Sequence, residues 1–310
     1  MYENRKVIVT LTTIPSRLNN IAEVIFSIIK QSVKPDEIVL SLPRKSLREP
    51  MLNKDPYVIS DKLAFFLKKF NITVHRIEND YGPATKLLGL LERELAKNHD
   101  KETEPLIITV DDDKIYDKDT LKVLLEGWKR HPDCVVSRKG GIINYGNINP
   151  SLQRMWKFFV MNGKDLDLLK YSEKPVAGNE IKQDLCIDVV FGTGGVLYRP
   201  SYFCKNIFGI GNKNNKLFPQ KLFIYIDDVY ISAFLSLKKV KKFVITFETT
   251  EFLKTQKQQV NKSRVIDRST INRKINPLIE INKVNPAESL HSLEATHYAY
   301  KFFKLTKPEN

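Results

Sequence analysis

The first half of the chain alternates short β-branched apolar runs with segments of helical period, and this restricts the fold more than any other feature. Residues 7–11 read Val-Ile-Val-Thr-Leu, and Pro15-Ser16-Arg17 breaks the run. Leu18, Ile21, Ala22, Ile25, Ile28 and Ile29 then recur at helical spacing. A second apolar run at 38–42 precedes a helical segment at 63–70, a third at 72–76 precedes one at 84–95, and a fourth occupies 106–110. Strands separated by helices of this length imply right-handed crossovers and a parallel sheet of the α/β class. Further strands are predicted at 187–191 and 223–226, and a helix at 229–237. Residues 138–183, with Gly, Asn and Pro throughout, read as a long irregular elaboration near the site. Residues 254–274 are polar and basic with few large apolar anchors, so they read as a mobile loop.

The chain has 310 residues and 42% hydrophobic content, enough to bury the core of one large domain. Its net charge of +14 is uneven: residues 238–310 hold 15 Lys and Arg against 7 Asp and Glu, a surplus of +8. Such a surplus suits a polyanionic partner: nucleic acid, an anionic membrane face or a phosphate-rich substrate. Cys134, Cys186 and Cys204 lack metal spacing and read as buried thiols in a reducing compartment. No apolar run approaches the roughly 18 residues of a membrane span, and the N-terminus enters a strand without a signal-peptide core. The expectation is a soluble cytoplasmic protein, peripheral at most.

Five short segments carry candidate chemistry. Asp111-Asp112-Asp113 follows the fourth strand at once, where open α/β sheets bind ligands. On extended backbone Asp111 and Asp113 would share a side, which suits a divalent cation that keeps water and phosphate in its other positions. A solvated acidic turn is the plainer alternative. The first strand ends in Thr12-Thr13-Ile14-Pro15-Ser16-Arg17, whose arginine could reach a phosphate or simply cover the surface. Asp80-Tyr81-Gly82-Pro83-Ala84-Thr85-Lys86 opens a helix, and Lys86 could meet a phosphate at its N-terminus. Gly192-Thr193-Gly194-Gly195 places three glycines in an apolar run, which suits backbone approach to a bulky ligand. Asp227-Asp228 stands at a helix start, where capping needs only one Asp.

In this order, these segments resemble the glycosyltransferases of the GT-A fold, notably small bacterial and viral family-2-like members that use nucleotide sugars. The resemblance spans residues 7–237. It implies a Rossmann-like, mostly parallel sheet flanked by helices in a domain at 1–250, with a nucleotide-binding half at 1–115 and an acceptor half at 116–250. Residues 251–310 would add a basic loop and a C-terminal helix on the same domain. By resemblance, Thr12 and Arg17 would flank base and ribose, Asp80 would pair the nucleobase, and Lys86 and Asp112 would support the nucleotide. Asp111 would approach the ribose or the metal and its bound water, and Asp113 would bind Mn²⁺ or Mg²⁺ directly. A C-terminal histidine, His291 in preference to His297, would complete the metal shell. Gly194 and Gly195 would let the sugar lie against backbone. Asp228 would be the general base and Asp227 would orient the acceptor, implying inversion. The partners would be a nucleotide-sugar donor, with UDP favoured by family habit, and a glycan or lipid-linked acceptor.

Two rival classes fit less of the chain. A sugar-phosphate nucleotidyltransferase usually carries a glycine-rich loop after its first strand, and residues 12–17 contain no glycine. A non-catalytic nucleic-acid-binding protein would suit the +14 charge. The ordered acidic motifs would repel a phosphate backbone, however, and the basic tail has no zinc spacing, so nucleic acid is not an expected partner.

Overall fold

A computed structural model describes residues 2–49, 55–145, 171–211 and 227–248. Four strand–helix units open the fold: β1 (Val7–Leu11), α1 (Ile21–Ile29), β2 (Glu37–Pro43), α2 (Asp61–Lys69), β3 (Thr73–Ile77), α3 (Thr85–Glu94), β4 (Leu106–Thr109) and α4 (Thr120–Arg130). The short strands β5 (Val135–Ser137), β6 (Lys139–Tyr145), β7 (Tyr171–Ala177), β8 (Leu185–Cys186), β9 (Val189–Val190) and β10 (Val196–Tyr198) follow. Helix α5 (Asp227–Leu237) and β11 (Lys242–Val244) complete the described elements.

The main sheet has the order β3-β2-β1-β4-β10-β5-β11-β8. Strands β3, β2, β1 and β4 are parallel throughout. Strand β10 runs antiparallel to both β4 and β5, and β8 antiparallel to β11, so the sheet is mixed but mostly parallel in its first half. Alternate side chains divide between two helical layers, as strand pleating requires. Val9, Leu11, Leu40 and Ile108 pack against α1, α2 and α4, while Ile8, Val39 and Ile107 pack against α3 and α5. Thr10 faces the second layer, and its hydroxyl donates to the Lys86 carbonyl at 2.6 Å, fixing the start of α3 on β1.

The connections place a crevice. From β1 the chain crosses to β2 on one side, whereas β4 lies on the other, so β1 and β4 flank the topological switch point. Ligands of open α/β sheets bind outside the carboxyl ends of the strands there. Thr10 pairs with Thr109, which sets Thr12 and Thr13 beside Asp111–Asp113.

Three expectations change. Residues 138–183 are not irregular throughout: β6 and β7 pair antiparallel over seven residues, with β9 on the other side of β6. Pro175 is tolerated because β7 is an edge of that three-stranded sheet. Gly140 is required because a Cβ there would lie 2.6 Å from the Val189 carbonyl oxygen of the paired strand β9. The cysteines are not buried: Cys134 and Cys204 are half-buried, and Cys186, on the edge strand β8, is exposed. Helix α4 and strands β5 and β11 add to the predicted elements. The strand expected at 223–226, the basic loop and the C-terminal helix lie outside the described residues. Among the described residues no helix is long and apolar enough to cross a membrane.

Candidate active site

Strand β4 ends at Thr109, and the chain turns immediately beyond Asp111. The extended path assumed for the acidic triplet therefore does not persist. Asp112 and Asp113 do not alternate about a strand; both reach Arg17, on the 3₁₀ turn after β1. Arg17 Nη2 lies 3.0 Å from Asp112 Oδ1 and Nη1 lies 3.2 Å from Asp113 Oδ2. Asp112 also accepts from the Thr13 hydroxyl. Asp111 diverges to Lys86, whose Nζ lies 2.9 Å from Oδ1, and the Asp111 backbone N–H donates to the Tyr116 hydroxyl.

The second half of the site comes from α5 and the glycine loop. Asp227 and Asp228 are the first two residues of α5, where the helix dipole favours negative charge. Asp227 Oδ2 lies 3.0 Å from Lys86 Nζ. Asp228 accepts from the Gly192 N–H at 3.1 and 3.2 Å. A Cβ on Gly192 would lie 2.8 Å from Lys86 Nζ and 3.4 Å from both Asp111 Oδ1 and Asp228 Oδ1. Gly192 is thus the glycine through which backbone approaches the charged centre. Lys114 bridges the acidic turn and this loop by donating to the Thr193 carbonyl at 3.1 Å.

Five carboxylates meet three central cations, Arg17, Lys86 and Lys114, with Arg48 acting on Asp112 from the margin. The side chains of Asp112, Asp113 and Asp227 are 7–8% exposed, so this is not a solvated acidic turn. Burial pushes Asp113 up, and the charge of Asp111 pushes it further, against Arg17 and Lys114. Burial likewise raises Asp112 despite Arg17. Burial and then Asp227 hold Asp228 well above the usual carboxylate range, with Lys86 opposing. Burial opposes ionisation of Asp111, but Lys86, Lys114 and Arg17 together lower its pKa. Burial disfavours the charge on Lys86, yet Asp111, Asp227 and Asp228 together raise it well above the ordinary lysine value. Burial lowers Lys114 despite Asp111, Asp113 and Asp228.

The other expected site residues sit as follows. The Thr12 hydroxyl donates to the Ser41 carbonyl at 2.8 Å, joining β1 to β2. Asp80 organises its own turn, with Oδ1 accepting from the Gly82 N–H at 2.8 Å and Oδ2 from the Leu47 N–H at 2.7 Å. Gly82 needs its freedom at φ 62°. Gly194 and Gly195 point away from the carboxylates: a Cβ on Gly194 would lie 3.0 Å from Arg138 Cβ, and Gly195 has φ 87°. Their packing and backbone account for both glycines. His291 lies outside the described residues. Lys114, Tyr116 and Gly192 were missed as individual site residues; adjacency to the acidic triplet and to the other glycines was their only signal.

Among the described residues no three His, Cys, Asp or Glu side chains are grouped as a metal site. The donor chemistry still suits a hard cation. Asp111 and Asp113 offer carboxylate oxygens, and the five carboxylates outnumber the three central cations. Mg²⁺-type sites commonly use only one or two carboxylates with water and substrate phosphate. No family model matches the sequence, and no curated protein matches it significantly.

Proposed function

We propose that the chain is a metal-dependent GT-A glycosyltransferase that moves a sugar from a nucleotide-sugar donor, with UDP favoured, to a hydroxyl of a glycan or lipid-linked acceptor. The observation that carries this reading is the convergence of strand-end Asp111, the Gly192 backbone and helix-start Asp227–Asp228 at the β1/β4 switch point. A phosphate-bearing ligand in that crevice would meet the carboxylates through a cation and the basic side chains directly. Asp111 and Asp113 would hold Mn²⁺ or Mg²⁺, with His291 as a further ligand, and the ion's chemistry is neutralisation of charge on the leaving diphosphate.

The chain's own groups divide the remaining work. Arg17 holds the acidic turn in place and can also face a phosphate. Asp228 is the general base for the acceptor hydroxyl. Burial and Asp227 raise its pKa, which makes the carboxylate a stronger base once it is ionised. Asp227 orients the acceptor side. A base there implies direct displacement with inversion. The basic tail suits an anionic membrane face or a lipid-phosphate acceptor.

The direct test is a thermal-shift panel of UDP, GDP and dTDP and their sugars, each with Mn²⁺, Mg²⁺ or EDTA. A ligand specific to the native state raises the melting temperature. A UDP-sugar should raise it only with a divalent ion. A flat panel would remove the transferase reading.

A further inference from the structure

Lys86 is positioned unlike a phosphate ligand. Its backbone is fixed to β1 by Thr10, and its side chain is buried beneath the crevice. Its ammonium is shared between Asp111 at 2.9 Å and Asp227 at 3.0 Å, carboxylates from two separate elements. It also packs beside Gly192, whose N–H holds Asp228. Asp227 Oδ2 is buried and has no other polar partner among the described residues. A phosphate that displaced either carboxylate would break a buried ion pair, and one that displaced Asp227 would leave its Oδ2 uncompensated, which is strongly unfavourable.

We propose that Lys86 is a positioning residue that holds the acceptor-side pair Asp227–Asp228 in register with the donor-side Asp111. The inference rests on the transferase reading and deepens it. Without the ammonium, Asp111 and Asp227 repel one another across a buried gap, the start of α5 shifts, and Asp228 loses its place on the Gly192 N–H. Nothing in this arrangement requires Lys86 to touch the donor. Asp113 stays paired with Arg17 when Lys86 is lost and can still hold the metal, so the loss should reduce turnover far more than donor affinity.

The test compares wild type with Lys86→Met, which keeps the length and removes the charge. Binding of UDP with Mn²⁺ is measured by calorimetry, and UDP release from UDP-glucose, with water or added sugar as acceptor, gives kcat. The expected result is UDP affinity within about threefold of wild type and kcat lower by about a hundredfold, the scale of an ångström-sized misplacement. Gly192→Ala leaves every charge in place but pushes against the ammonium, and should give the same split at about tenfold in kcat. It also serves if Lys86→Met does not fold. Lost UDP affinity with retained kcat, in either variant, would overturn the positioning role and leave the transferase reading standing. A folded wild type that binds no UDP with Mn²⁺ would remove both.

Discussion

The antiparallel pair β4–β10 carries buried charge at both ends, and the two clusters differ in kind. At one end Glu104 precedes β4 and Arg199 follows β10. The guanidinium donates to Glu104 Oε1 at 2.6 Å, to the Lys101 carbonyl at 2.8 Å and to the Pro132 carbonyl at 3.2 Å. Glu104 Oε2 accepts from the Ser201 N–H at 2.8 Å. Buried donors and acceptors meet there with geometry that offsets desolvation. At the other end, Asp111–Asp113, the glycine loop and α5 gather carboxylates in excess of the central cations, and several of them are pushed towards protonation. One end resembles a finished piece of core. The other carries a charge deficit that a cation or a basic ligand group would correct. Position on the sheet agrees, since only the second lies at the carboxyl ends of the parallel strands.

Breaking the balanced end should have the largest effect. Arg199→Met would leave the buried Glu104 carboxylate bonded to Ser201, with Arg5 as a neighbouring charge that bonds only its carbonyl. Removing one partner of a buried pair costs about 3–5 kcal/mol. Chemical denaturation should show that loss, whether or not a nucleotide is present. At the other end Asp228→Asn keeps the size and the Gly192 contact but cannot accept a proton. UDP binding should persist while transfer falls by about a hundredfold or more, the scale of a lost general base. Since Asp228 is raised, transfer by the wild type should rise with pH, and its acidic limb should lie above that of an ordinary aspartate. Asn caps a helix about as well as Asp, so full activity in this variant would assign Asp228 to capping alone.

A third buried charge gives the smallest effect and calibrates the comparison. Lys242 on β11 donates to Ser236 Oγ at 2.6 Å, and burial lowers its pKa to about 8. The unfolded chain, with an ordinary lysine, binds more protons than the folded one between that value and about 10.4. Stability should therefore rise with pH across this window. Lys242→Met should melt at or slightly above the wild-type temperature at pH 7 and lose that rise, as read from melting curves at several pH values.

The sequence showed the frame of this comparison better than its contents. Strands β1 to β4 were visible because Val and Ile dominate runs bounded by helical spacing, and the switch point follows from their alternation. Strands β6 and β7 were hidden because Gly140, Gly141 and Pro175 are poor strand formers, acceptable here only through close packing and an edge position. The acidic triplet and the Asp227–Asp228 pair were recognisable at a strand end and a helix start. Their partners were not. Nothing in the spacing shows that Arg17 holds two aspartates, that Lys86 joins α3 to both β4 and α5, or that Asp80 is engaged by its own turn and by Leu47. Those contacts depend on crossovers that bring distant segments together. Gly192 could not be separated from Gly194 and Gly195, because only the fold shows which of the three faces the charged centre.

The measurement that tests the central claim most directly is the melting temperature of Asp113→Asn beside wild type at pH 7, each with and without UDP and Mn²⁺. Arg17 keeps Asp112 as a partner in the variant, and one unfavourable buried charge is removed. Without ligand the variant should therefore melt at or above the wild-type temperature. With UDP and Mn²⁺ the wild type should shift upward and the variant should not. A variant that melts below wild type and still responds fully to UDP and Mn²⁺ would contradict the claim that this end of the sheet is built for a ligand.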